Sequence, residues 1–263
     1  MKHNKLGPVL SIANQKGGVG KTTTSINLAA SLATLDKRVL VLDLDPQGNT
    51  TSGLGVDKDK VEVGMYDVLS KEATLEEAML ETECEGLFLV PATMDLSGAE
   101  VELVNEDDRE NVLLAGFESY EGEAFDYVII DCPPALNMLT INALTASDRV
   151  MITLQTEFYA MEGLSQLIDT IRRVKANLNA DLEMEGILLT MVDRRNNLAI
   201  QVENDVREYF GLQVYECVIP RNIRLSEAPS YGVPVMYHDF KSAGAQAYLK
   251  VAQEMIQREL AAA

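Results

Sequence analysis

Residues 16–23 read Lys-Gly-Gly-Val-Gly-Lys-Thr-Thr, three glycines and two lysines in a stretch that ends on paired hydroxyls. Glycines let a loop wrap a phosphate chain with its N–H groups pointing inward, and a helix that begins where the loop ends adds the partial positive charge of its N-terminus. In that arrangement Gly17, Gly18, Val19, Gly20 and Thr23 form a cradle, Lys21 reaches the β- and γ-phosphates of a nucleoside triphosphate, and Thr22 ligates Mg2+. A glycine-rich turn without function is the competing reading. The Lys-Thr pair after the last glycine, an apolar run before the loop and a helical pattern after it speak against that reading. The usual spacing wants glycine at position 15, where this chain has Gln15 followed by a second lysine, Lys16.

Two aspartates close apolar runs and so fall where metal and water are handled in open α/β sheets. Asp131 follows Tyr127-Val128-Ile129-Ile130 and reads as a carboxylate that holds the Mg2+ shell together with Thr22. Asp45, in Asp43-Leu44-Asp45-Pro46-Gln47-Gly48-Asn49, reads as the residue beside that metal that orients or polarises the attacking water. Either aspartate also suits a helix or turn cap, since Asp-Pro commonly opens a turn.

Placing these groups requires strands that deliver the loop and the aspartates to one edge. Short aliphatic runs alternate with longer stretches of helical spacing, which predicts βα units around a mostly parallel sheet. The predicted strands are Val9–Asn14, Arg38–Asp43, Leu87–Val90, Tyr127–Asp131, Val150–Leu154, Gly186–Val192 and Val214–Ile219. Several are apolar nearly throughout, as strands covered on both faces are. Helices are predicted over Lys21–Leu35, Leu96–Val104, Asn137–Ala146, Tyr159–Leu178, Leu198–Phe210 and Ala243–Leu260. The expectation is a single-domain P-loop NTPase fold over residues 1–263, a mostly parallel twisted sheet with helices on both faces.

The net charge is −19, and its distribution is uneven. Residues 1–50 carry net +3, residues 57–126 net −17 and residues 127–263 net −5. Acidity repels nucleic acid, yet screening at physiological salt confines fields to roughly 8 Å, so an arginine-bearing face elsewhere is compatible with DNA. The acidic segment also serves solubility. No apolar run is long enough to cross a membrane and no signal-peptide core opens the chain, so the expected location is cytoplasmic. Three dispersed cysteines, Cys84, Cys132 and Cys217, form no CxxC pair and read as reduced, mostly buried thiols.

The loop Lys16–Thr22 resembles the deviant Walker A signature of the ParA/MinD superfamily. Asp43–Asn49 and Asp131-Cys132-Pro133-Pro134 resemble its two γ-phosphate-sensing switch segments. Ile219-Pro220-Arg221-Asn222-Ile223-Arg224-Leu225-Ser226-Glu227-Ala228-Pro229-Ser230 is similar to a segment of the short chromosomal ParA/Soj branch. The resemblance runs from Val9 to about residue 245, and with only eight residues before the first strand no separate N-terminal DNA-binding domain is expected. It implies that Lys16 acts catalytically with Lys21 and Asp45 by reaching across a homodimer to the partner's ATP. It implies that Pro220 and Asn222 contact adenine, with Met191 and Asp193 bordering the pocket. It also implies that Arg195 and Arg224 bind double-stranded DNA without sequence preference in the ATP state, giving a nucleoid-associated protein. A ParB-like centromere-binding partner would stimulate weak hydrolysis through a short basic segment, in chromosome or plasmid segregation. The alternative for the arginines is pairing with Asp193, Glu203, Asp205 and Glu227 on a solvated surface. A MinD-like membrane-cycling regulator is the other reading of the whole. Its basic amphipathic C-terminal helix is not matched by residues 250–261, whose charge is balanced, so no membrane partner is expected. An iron-protein-like electron carrier lacks a second cysteine ligand beside Cys132. A metabolic ligase would leave Lys16 unexplained.

Overall fold

In the computed structural model, which describes residues 5–104, 106–157 and 160–262, seven strands form one sheet in the order β3-β4-β2-β5-β1-β6-β7. The strands are β1 (Val9–Ala13), β2 (Val39–Asp43), β3 (Leu80–Glu81), β4 (Leu87–Val90), β5 (Tyr127–Asp131), β6 (Arg149–Gln155) and β7 (Glu183–Thr190). All neighbours run parallel except β3, a two-residue antiparallel edge on β4. The helices are α1 (Lys21–Thr34), α2 (Asn49–Gly53), α3 (Met65–Leu69), α4 (Leu75–Ala78), α5 (Leu96–Leu103), α6 (Val112–Glu118), α7 (Met138–Ala146), α8 (Ala160–Asn177), α9 (Asn197–Phe210), α10 (Ile223–Glu227), α11 (Val235–His238) and α12 (Ala243–Ala262). The predicted start of the eighth helix at Tyr159 lies outside the described residues.

β1, β2 and β5 are buried at every position, which is why their sequences carry no polar alternation. Successive side chains serve opposite faces of the sheet. Val9, Leu40, Leu42, Val128, Ile130 and Ile152 pack on one face beneath α3, α5, α6, α7 and α8. Leu10, Ile12, Val39, Val41, Ile129 and Met151 pack on the other, beneath α1 and α12. The domain is thus a three-layer α/β fold with helices on both faces, as expected.

The predicted strand Val214–Ile219 is corrected. Residues in this stretch follow β7 in parallel, but only through isolated bridges, with Tyr215 N–H bonded to Ile187 O at 2.9 Å and Ile219 N–H to Leu189 O at 2.8 Å. Between those points the Glu254 carboxylate accepts the N–H groups of Glu216 and Cys217, at 2.8 and 2.9 Å. A helix side chain has taken the donors that a strand ladder needs. The acidic region, where the sequence shows weak periodicity, folds into short helices; in α4 the Thr74 and Glu77 side chains form a reciprocal cap. Among the described residues, no helix is long and apolar enough to cross a membrane. Cys84 and Cys132 are buried free thiols, and Cys217 is partly exposed.

Candidate functional site

β1 ends at Ala13 and the chain turns through residues 14–20 into α1, which places the glycine loop at the carboxyl edge between β5 and β6. Asn14 shapes the turn: its Nδ2 donates to Thr153 O at 2.7 Å while its Oδ1 accepts the Lys16 N–H at 2.9 Å. Gly20 is the residue before α1 and sits in the left-handed region at φ 87°, where glycine is the residue without steric cost. The Val19 carbonyl accepts from Thr190 Oγ1 at 2.8 Å, which fixes the loop to the end of β7. Gln15, at the position where glycine is usual, has its own use. Its amide donates to Gly163 O and Gln166 Oε1 at 3.2 and 2.9 Å and so ties the loop to α8.

Lys21 is only 6% exposed, and its ammonium donates to the Lys16 carbonyl at 3.1 Å. Burial lowers its pKa, while the nearby Asp131, Cys132 and Asp45 act in the opposite direction. Thr22 Oγ1 donates to Asp131 Oδ2 at 2.8 Å. Asp131, wholly buried, also accepts from Thr50 Oγ1 at 2.7 Å and Ser25 Oγ at 3.0 Å. It therefore sits one layer behind the loop and reaches the cleft through Thr22. Asp45 is buried at the cleft wall and accepts the Gln47 N–H at 3.0 Å.

Asp43 was given no role from sequence, yet it pairs in register with Asp131. It accepts from Thr51 N and Thr51 Oγ1 at 2.8 and 2.7 Å. Burial first, and the Asp131 charge second, push its carboxyl up to about 8. Burial also raises Asp131, against the three hydroxyl bonds that favour its charge. Two adjacent buried carboxylates disfavour carrying two charges together. The signal for Asp43 lay in the Asp-x-Asp spacing at the end of β2. Burial pushes the neighbouring Cys132 thiol up to about 12, which leaves it an inert neutral group.

A cleft of about 490 Å³ joins the loop to the C-terminal segment. Its walls include Gly17, Gly18, Gly20, Lys21, Thr22, Thr23 and Asp45 at one end and Met191, Pro220 and Asn222 at the other. The sequence reading therefore assembles in space from Gly17 to Asn222. Val19 is an exception: it is buried and contributes its carbonyl to the loop's anchor, apart from the cleft wall. Asp193 is another, since it pairs with Arg195 and does not line the cleft. Met191 holds φ 50°, a left-handed conformation unusual for a side chain of its size, at the turn that carries β7 into the cleft. Asn222 caps α10, its Oδ1 accepting the Arg224 N–H at 3.0 Å. Thr190 and Tyr248 line the cleft without having been singled out in the sequence; Tyr248 is fixed by its bond to Thr24 Oγ1 at 3.0 Å.

Lys16 stands apart. Its ammonium pairs with Glu157 at the loop mouth, its side chain is 49% exposed, and it does not line the cleft. Arg195 makes a two-pronged bond to Asp193, at 2.9 and 2.8 Å, with its side chain 88% exposed. Arg224 pairs with Glu227 at 2.7 Å and Asp239 at 3.3 Å. The two arginines are thus held by acids on an exposed surface. Among the described residues no group of three or more His, Cys, Asp or Glu forms a metal cage. The donor set that does exist, a hydroxyl from Thr22 with carboxylates behind and beside it, suits a hard oxygen-seeking ion that takes its remaining ligands from water and phosphate.

A glycine loop on a helix N-terminus, a buried lysine and a hydroxyl–carboxylate pair at strand ends define a P-loop NTPase fold. Comparison with known proteins refines the class. A family model described as an AAA domain matches residues 7–184. The chain is 54% identical over 250 residues to the sporulation initiation inhibitor protein Soj of Bacillus subtilis, covering 95% of this chain and 98% of that protein. It is 54% identical over 252 residues to the chromosome partitioning protein ParA of Caulobacter vibrioides, covering 95% and 94%. A crystal structure called cobyrinic acid a,c-diamide synthase from Mycobacterium smegmatis, with bound ADP and magnesium, aligns with TM-score 0.85 and 38% identity over 98% of this chain and 97% of that one. The chain belongs to the ParA/Soj family of chromosome-partitioning ATPases.

Proposed function

We propose that this chain binds ATP with Mg2+, dimerises over the nucleotide, gains affinity for duplex DNA without sequence preference, and resets by slow hydrolysis that a ParB-like partner accelerates. The observation that carries the dimer is the position of Lys16. Lys21 already supplies the buried cation of its own cleft, whereas Lys16 lies at the mouth, half in water, outside that cleft. A cation so placed is available to a nucleotide held by a second copy.

The geometry supports the following roles. The loop N–H groups and Lys21 bind and orient the phosphates, and Pro220, Met191 and Asn222 receive the base. Asn222 keeps its amide donors for the purine edge while its oxygen caps α10. Thr22 and Asp131 would hold Mg2+, which when bound neutralises charge on the phosphates. Asp45, with one oxygen fixed by Gln47 N–H, offers the other to orient the attacking water. Electrostatic positioning of this kind supplies most of the catalysis in phosphoryl transfer. Arg195 and Arg224 exchange Asp193, Glu227 and Asp239 for DNA phosphates, and two subunits double the contacts.

Binding to random duplex DNA measured with and without ATP over a salt series tests the reading. Affinity should appear with ATP, fall steeply with salt, and persist in an Asp45→Ala variant that cannot hydrolyse. Equal affinity with and without nucleotide would refute it. A small-molecule synthase is a second reading, favoured by the name of the M. smegmatis structure. ATP turnover that requires a small carboxylate acceptor would choose that one.

A further inference from the structure

Outside the nucleotide cleft, three apolar side chains stand in water along one side of α5. Met94 is 69% exposed, Val101 70% and Val104 57%. Asp95 already has helical backbone angles, so the turn extends back towards Met94, and spacings of seven and three place all three residues on one face. The opposite face, with Leu96, Ala99 and Leu103, is buried in the core. Met94, at one end of the stripe, lines an open cleft of about 570 Å³ together with Val61, Tyr66, Asp67, Asp95 and Ser97, so the stripe has depth at that end. Scattered exposed apolar residues need no explanation, whereas a stripe joined to a cleft has the form of a contact surface.

The rim states what kind of partner fits. Asp95, Glu102, Glu106 and Asp107 are exposed around the stripe, within the segment that carries net −17. Lys71 answers Glu106 at 2.8 Å, the Tyr66 hydroxyl donates to Glu102 at 3.0 Å, and Arg109 donates to the Val104 carbonyl at 3.0 Å while pairing with Glu110 at 3.2 Å; the segment still carries net −17 with these cations counted. DNA is repelled here, and a second copy of a chain of net charge −19 would bring like charge to the same face. A positively charged segment with apolar residues is the occupant that satisfies both rim and stripe.

The face is also wired to the nucleotide site. Ala92, two residues before Met94, donates its N–H to Thr51 Oγ1 at 2.9 Å, and that hydroxyl donates to Asp43 Oδ2 at 2.7 Å. Thr51 lies in α2, directly after the loop that carries Asp45. Lys58 Nζ donates to Gln47 O in the same loop at 2.7 Å. Two consecutive hydrogen bonds through Thr51 thus join Ala92, just before the exposed stripe, to Asp43, where the loop that carries Asp45 begins.

The geometry points to the outer face of α5 as the docking site for a basic amphipathic segment of the stimulating partner, with docking transmitted through Ala92 and Thr51 to the Asp45 loop. This deepens the reading above and rests on it. A synthetic peptide carrying the basic N-terminal segment of the ParB-like protein from the same organism is the probe, added to the full chain with ATP and duplex DNA. Val101→Ser with Val104→Ser, and separately Asp95→Lys with Asp107→Lys, alter exposed positions and leave the core intact. Each pair should raise the half-stimulating peptide concentration about tenfold or more, in keeping with the loss of two contacts. Basal turnover and ATP-dependent dimerisation should be unchanged, and peptide should slow hydrogen exchange at residues 92–104. Stimulation of both variants as in the unaltered chain would overturn the docking site while sparing the partner reading. Loss of dimerisation in the valine variant would make the face a self-interface and overturn it as well. An unaltered chain that no peptide stimulates removes the partner reading itself, and the docking site with it.

Discussion

Asp43 and Asp131 are register partners on adjacent parallel strands, each wholly buried, with Thr51 holding one and Thr22, Ser25 and Thr50 holding the other. This pair joins the start of the loop that carries Asp45 to the phosphate loop, because Asp131 accepts the hydrogen bond of the Thr22 hydroxyl. A change in the charge of one carboxylate is felt by the other and by both loops.

The pair predicts a pH dependence of the nucleotide-free protein. Asp43 is raised from 3.8 to about 8, mainly by burial. Over that interval the folded chain keeps a proton that the unfolded chain has released, so stability falls as pH rises. Urea midpoints measured at several pH values between those limits should decline towards the upper one. Asp43→Asn should flatten much of the decline, and an unaltered slope in that variant would show that the titration lies elsewhere.

Lys16 and Glu157 compete with dimerisation, if Lys16 serves a second copy. Lys16→Gln should prevent ATP-dependent dimers in light scattering while the monomer still binds nucleotide. Glu157→Gln should favour the dimer, with a shift of at most about fivefold for each ion pair released, or about thirtyfold for the two in a dimer, because an exposed ion pair contributes about 0–1 kcal/mol. A Lys16→Gln chain that dimerises normally would assign the role to another cation.

Arg195 and Arg224 are bound to acids in the isolated chain, so under the proposed reading they must exchange those acids for DNA phosphates. Arg195→Glu with Arg224→Glu should abolish ATP-dependent DNA binding and leave dimers intact. The single variants should each lower the slope of log affinity against log salt by about 1.8, at about 0.9 per phosphate contact over two subunits. Retention of affinity by the double variant would place the DNA face elsewhere.

Gly232 touches Gly55. Gly232 has φ 65° and Gly55 φ 85°, and a Cβ on Gly232 would lie 2.8 Å from the Gly55 Cα. The contact joins the turn that follows residues 228–231 to the turn that follows α2. Gly232→Ala combines a left-handed alanine with that clash and should cost about 1–3 kcal/mol. Thermal unfolding should drop by about 2–4 °C for each of those kcal/mol. Weaker ATP binding should accompany it, and a variant with the original midpoint would show that the backbone relaxes at no cost.

The local chemistry was legible in the chain because it rests on contiguous residues. Lys16–Thr23 announces a phosphate loop by spacing alone, and the unbroken apolar runs of β1, β2 and β5 announce strands covered on both faces. Val214–Ile219 was not legible, because its fate depends on Glu254 of a distant helix taking its N–H donors. In the acidic region α5 was legible, whereas α3, α4 and α6, at four to seven residues, are too short to show a period and are held by caps and tertiary packing.

Sequence by itself determined the phosphate loop, the acids at strand ends and the class of fold, since backbone freedom, period and charge are properties of neighbours along the chain. Tertiary structure decided which groups meet: Asp43 beside Asp131, Gln15 and Lys16 held to the region around α8, Arg195 on Asp193, and Ala92 bonded to Thr51 of α2. Those relations depend on strand order and crossovers, which bring residues tens to hundreds of positions apart within hydrogen-bond reach, and burial then sets their charge.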